Sequence, residues 1–141
     1  MLQETTMTTR RTALAALAAL ALAPMPAQAH LPGGARGPNG GQVQDIGPFH
    51  GEMLAKDGEI TLFIFDHNDR PVSARDASGT AIVLAEGRQQ TLTFAPRPDG
   101  AALVATGDFK AAHGLRVVVQ VVPRPGVTRA QARFTPVGTA P

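Results

Sequence analysis

Residues 50–66, HGEMLAKDGEITLFIFD, decide the fold. Two short runs with alternating apolar residues flank Asp57-Gly58, a pair favoured in two-residue hairpin loops because those positions take positive φ. The second run places Ile60, Leu62 and Ile64 on one side and Phe63 and Phe65 on the other. A strand that is apolar on both faces belongs in the middle of a sheet.

The same alternation continues outward from this hairpin. Strands are expected at 42–46 (QVQDI), 50–56, 59–66, 79–86 (GTAIVLAE), 89–95 (QQTLTFA), 102–106 (ALVAT), 115–122 (LRVVVQVV) and 127–134 (VTRAQARF). Turn signals separate them: Asn68-Asp69-Arg70-Pro71, Gly87-Arg88, Asp99-Gly100 and Pro123-Arg124-Pro125-Gly126. Asp57-Gly58 and Asp99-Gly100 both read as type I′ turns. The run 115–122 is apolar almost throughout, so it too should lie inside a sheet. In 127–134, Arg129, Gln131 and Arg133 alternate with Ala130, Ala132 and Phe134, as in an edge strand whose wet face carries charge. Seven or eight short antiparallel strands in about 95 residues predict an all-β domain over 42–136, an immunoglobulin-like two-sheet sandwich, with a small barrel as the alternative.

The first 29 residues read as a secretory signal: Arg10-Arg11, an apolar run from Ala13 to Ala23, and the small-x-small site Ala27-Gln28-Ala29. That run is well short of the ~20 residues a membrane span needs. Sec and twin-arginine export both fit. Removing 29 of the 141 residues leaves 112 that begin at His30, and the loss of Arg10, Arg11 and Glu4 leaves eleven bases against ten acids. The expected product is periplasmic or secreted, nearly neutral, and has no membrane span. Residues 30–41 (HLPGGARGPNGG) read as a flexible Gly/Pro-rich leader and 137–141 as a disordered tail.

Composition excludes whole classes of chemistry. With no Cys in the chain, thiol nucleophiles, thiolate metal sites, Fe–S clusters and disulfides are all excluded. The almost balanced charge gives no nucleic-acid footprint. No nucleophile elbow, nucleotide loop or H-E-x-x-H helix is present, so no enzyme is expected and no catalytic residue is assigned.

Metal chemistry would rest on four histidines. His50 and Glu52 stand at i and i+2, hence on one face of a strand, and offer an imidazole and a carboxylate. The turn at Asp57-Gly58 is expected to set His50 opposite Asp66 or His67, which makes His50, Glu52, Asp66 and His67 the best local cluster, with His113 in a later turn as a further donor. A surface reading, polar residues gathered at a sheet end, competes with it. His30, as a new N-terminus, would offer an amine and an imidazole to Cu(II), but Pro32 removes a backbone nitrogen that square-planar copper peptides use. Asp66–Pro71 lacks the glycine and distal Glu of a calcium loop and reads as a plain turn.

Three stretches resemble a known family. Gly37-Pro38-Asn39-Gly40-Gly41-Gln42-Val43 and Gly47-Pro48-Phe49-His50-Gly51-Glu52-Met53, followed by Asp66-His67-Asn68-Asp69-Arg70-Pro71-Val72, are similar to the N-terminal periplasmic domain of heavy-metal efflux adaptor (membrane-fusion) proteins of the cobalt–zinc–cadmium type and its stand-alone relatives. Leu92–Pro96, Leu103–Gly107 and His113–Val117 fit that domain's later strands. The resemblance covers residues 37–135 and implies the sandwich fold, a link to metal efflux or resistance, and envelope efflux components as partners. Many relatives have His where this chain has Asn39. Residues 1–141 are expected to hold none of the lipoyl, coiled-coil and barrel parts of a whole adaptor. Two functions follow as expectations: a weak divalent-metal binder, for Cu(II) or Zn(II), or a metal-free structural or protein-interaction module.

Overall fold

The structure, a computed structural model, describes residues 35–136. The signal read over 1–29, His30, the start of the leader and the 137–141 tail lie outside the described residues. Among the described residues no helix is long and apolar enough to cross a membrane.

Ten strands form in chain order: β1 Gln42–Ile46, β2 Phe49–Lys56, β3 Glu59–Phe65, β4 Pro71–Val72, β5 Ser78–Ala85, β6 Arg88–Thr93, β7 Ala95–Pro96, β8 Leu103–Thr106, β9 Arg116–Val122 and β10 Ala130–Phe134. They make two antiparallel sheets. The first has the order β1-β2-β3-β8-β7, with β4 also on β3; the second has the order β10-β9-β5-β6. The architecture is all-β and matches a sandwich, and neither sheet closes into a barrel. As expected, β3 and β9 are interior strands and β10 lies at an edge.

Alternation explains the core. Ile60, Leu62 and Ile64 of β3, Ala81 and Val83 of β5, Val117, Val119 and Val121 of β9, and Ala132 and Phe134 of β10 all turn inward and are buried. Each Val, Leu, Ile or Phe side chain among them gains roughly 1.5–3 kcal/mol on full burial. With no disulfide available, that burial carries the fold.

Both margins of the sandwich are bridged from sheet to sheet. On one side the Gln42 side chain accepts from Thr135 N at 2.8 Å. On the other, a single run changes sheets: β6 pairs β5, β7 pairs β8, and between them Phe94, itself buried, still donates its N–H to Gly79 O at 2.9 Å.

Three local expectations need correction. Asp57 and Asp99 are not left-handed; positive φ falls only on the glycine of each pair, at 75° for Gly58 and 70° for Gly100. At the second turn Gly100 N bonds Arg97 O, so Pro98 and Asp99 are the central residues and the proline's fixed φ keeps the turn in the ordinary hand. The true type I′ turn is Glu86-Gly87, with φ of 50° and 74°. The run expected as one strand at 89–95 is split between the sheets at Phe94. Finally, residues 35–41, the end of the stretch read as a flexible leader, form a hydrogen-bonded turn: Gly40 N bonds Gly37 O, Gly37 N bonds Gly41 O, and Val43 N bonds Ala35 O along the free edge of β1.

Candidate functional site

Glu52 and His50 share the outer face of the first sheet, as their spacing requires, yet their surroundings differ completely. Glu52 is fully buried, the sole charged residue among the buried side chains described. The 37–41 turn lies over it. Oε1 accepts from the backbone N–H of Asn39 and of Gly41, each at 2.8 Å, and Oε2 accepts from Asn39 Nδ2 at 2.9 Å. Glycine is required by the closeness of the cover: a Cβ at Gly37 would fall 2.4 Å from the Glu52 Cδ, and one at Gly41 would fall 2.4 Å from the Met53 carbonyl oxygen. A buried charge is tolerated only when paired or fully hydrogen-bonded, and this turn supplies the donors.

His50 lies beside Asp45, its direct cross-strand neighbour on β1, with Nδ1 2.8 Å from Asp45 Oδ1. The Asp45 side chain is well exposed and that of His50 largely covered. On its other side His50 faces Phe65. The expected placement opposite Asp66 or His67 is therefore off by one residue or two. Lys56 and Glu59 close the two-residue turn, and counting back from that pair fixes His50 on Phe65.

Asp66 and His67 fall beyond the strand end. Asp66 Oδ1 accepts from Asn68 N at 2.8 Å and Arg70 N at 3.0 Å. The Arg70 N–H, with a smaller contribution from that of Asn68, holds its carboxyl below the ordinary aspartate value. This is the Asx turn of a loop. His67 and His113 are exposed, each in a turn. Among the described residues no three His, Asp or Glu side chains gather as metal donors. The Glu52 oxygens point at N–H groups, which a cation cannot replace without lifting the turn, so Glu52 does not fit the role of a Cu(II) or Zn(II) ligand beside His50.

The rest of the outer face is partly apolar. Leu54, Thr61 and Phe63 line a shallow groove of about 260 Å³ with Lys56, Glu59 and Arg97 at its rim. Its charges are locally balanced: Lys56 Nζ sits 3.3 Å from Glu59, Arg97 Nη2 sits 2.5 Å from Asp99, and the Arg97 guanidinium lies 5.6 Å over the Phe63 ring.

The cover over Glu52 was missed from sequence because an i, i+2 pattern alone assigns that residue to solvent. The usable signal was the pairing of a Gly-rich stretch containing Asn39 with an acid set between Gly51 and the apolar Met53-Leu54-Ala55. The two stretches quoted above, around Gly37–Val43 and Gly47–Met53, meet at this carboxylate. Compared with family models, with curated proteins and with solved structures, the chain matches none.

Proposed function

We propose that the protein is an exported, non-enzymatic β-sandwich of the periplasm or the medium that serves as an interaction module associated with metal efflux or resistance and holds no metal ion of its own. The observation that carries this reading is the commitment of both Glu52 oxygens to Asn39 and Gly41. Among the described residues, that commitment leaves Asp45 as the acid in contact with His50. The apolar signal-like start and the resemblance around residues 37–72 support the location and the efflux association.

Calorimetric titration of the metal-free exported chain with Cu(II) and with Zn(II) tests it. The expected dissociation constants are weaker than about 100 μM and unchanged in a His50→Ala/His67→Ala double variant. Micromolar binding that this variant abolishes overturns the reading.

A second reading, a weak Cu(II) or Zn(II) binder, is favoured by the His50–Asp45 pair itself, an imidazole and a carboxylate 2.8 Å apart on adjacent strands. Two protein donors, with water completing the shell, make a weaker site than the three or four of an ordinary zinc centre. Loss of binding on Asp45→Asn would support this second reading.

A further inference from the structure

Among the described residues, one edge of the two sheets is left open. On β1 the edge is occupied in part by residues 35–36: Val43 N bonds Ala35 O, and Arg36 bridges Gln42. β10 sends Arg133 to solvent on its outer face, follows the exposed Arg129 and is tied to Gln42 at its end. β7 is two residues long and finishes at Pro96, and β4 is two residues long and begins at Pro71. Arginine, proline and brevity are the ordinary guards against edge-to-edge pairing. β6 has none of them beyond its first residue. It is six residues long, and from Gln89 to Ala95 the chain carries neither charge nor proline.

The hairpin determines which backbone groups face outward. Ala85 and Arg88 close the type I′ turn at Glu86-Gly87 as a hydrogen-bonded pair, and such pairs alternate along an antiparallel ladder. Val83–Gln90 and Ala81–Leu92 are therefore bonded pairs too, and the Phe94 N–H to Gly79 O bond continues the same phase. The N–H and C=O of Gln89, Thr91 and Thr93 then point away from β5. No other group among the described residues takes them up. The side chains of all three are exposed on the outer face.

We propose that the β6 edge is a homodimer interface, with a second copy of this chain adding its own β6 in antiparallel register about Thr91. In that register Thr91 lies opposite the second copy's Thr91, and Gln89 lies opposite its Thr93. About six interchain backbone hydrogen bonds form, and the outer face gains a Thr–Thr pair flanked by two Gln–Thr pairs. Nothing repels. Arg88 falls opposite the second copy's Phe94, and its own acid, Asp108, stands 3.8 Å away in the same chain. The two four-stranded sheets become one continuous sheet. Because the remaining edges are guarded, the pairing closes at two copies and does not extend into a fibre. This inference is independent of the function proposed above, and its failure would leave that function standing.

Sedimentation equilibrium of the exported chain from low micromolar to millimolar concentration tests it. The expected result is a reversible dimer. Its amides at Gln89, Thr91 and Thr93 should exchange more slowly as concentration rises, while those of β10 should not respond. Thr91→Pro removes an outward N–H that β5 does not use, so the hairpin tolerates it, and dimerisation should be lost. Thr91→Lys, which sets two like charges face to face, should weaken the dimer at least tenfold and keeps the test valid if the proline variant misfolds. A chain that stays monomeric throughout, or a dimer indifferent to both variants, overturns the proposal; so does a stable complex at this edge with a different protein in place of the second copy.

Discussion

Replacing Glu52 tests the central feature of the outer face, a buried carboxylate held by a glycine-rich turn. In Glu52→Ala, three donors lose their acceptor: Asn39 N, Gly41 N and Asn39 Nδ2. Hydrogen bonds to charged groups are worth about 1.5–3 kcal/mol each, but the turn is a surface element and can lift so that its N–H groups reach water. The loss should therefore approach that of breaking one buried charged contact, about 3–5 kcal/mol. Glu52→Gln is milder for a geometric reason. Its carbonyl oxygen keeps the two backbone donors, and its new NH2 can be met by rotating the Asn39 amide so that Oδ1 accepts. Only charge assistance is lost, about 1–2 kcal/mol. Asn39→Asp sets a second carboxylate against Glu52 and should cost nearly as much as Glu52→Ala, whereas the double variant Glu52→Gln/Asn39→Asp restores a donor–acceptor match and recovers about 2 kcal/mol of coupling. Urea unfolding followed by far-ultraviolet circular dichroism suits a chain with neither Trp nor Tyr. A loss of about 3 kcal/mol corresponds to roughly 12–24 °C in Tm for a domain of this size. If Glu52→Ala stays within about 0.5 kcal/mol of the parent, or if Gln is no better than Ala, the reasoning fails.

Three other changes probe the scaffold. Phe134→Ala on β10, fully buried against the core, should cost about 3–5 kcal/mol by the same urea assay; a loss under 1 kcal/mol would mean the strand is loosely packed. Glu86→Asn should stabilise by about 0.5–1 kcal/mol, because Glu86 holds a left-handed φ of 50° in the type I′ turn, where Asn is at ease; an unchanged urea midpoint would refute this. Asp99 is held at about 2 by the Arg97 guanidinium, below its ordinary 3.8. Its contribution is thus present above the unfolded value and lost as pH falls towards about 2. Asp99→Asn should flatten the fall in urea midpoint across that interval, and parallel curves for parent and variant would contradict the pairing.

Most strands were legible because their residues alternate and their turns are marked by Gly, Pro, Asn and Asp. β3 shows this best, since apolar residues on both faces admit no position but an interior one. Other features left no such trace. β4 is two residues long and exists only because Val72 and Pro71 lie against Ile64 and Phe65. The passage from β6 to β7 reads as one continuous run, and only tertiary packing of Phe94 divides it. For the candidate site, the shared face of His50 and Glu52 followed from period two. The partner of His50 did not, because a single-residue shift in register exchanges Asp66 for Phe65. Nor did the burial of Glu52, whose cover comes from a stretch with no periodicity at all. Asp45, the residue that pairs with His50, stands back across the β1–β2 hairpin, whose register depends on the two-residue turn at Gly47-Pro48.

The run from Arg88 to Pro96, which serves β5 at one end and β8 at the other, bears on how the molecule comes apart. A strand that belongs to both layers makes them mechanically one body. Sliding one sheet over the other strains the backbone at Phe94, and peeling β6 from β5 drags the β7–β8 ladder with it. Neither layer can melt as a separate unit, so the domain should lose its structure in one step, with slow amide exchange in both sheets governed by the same global opening.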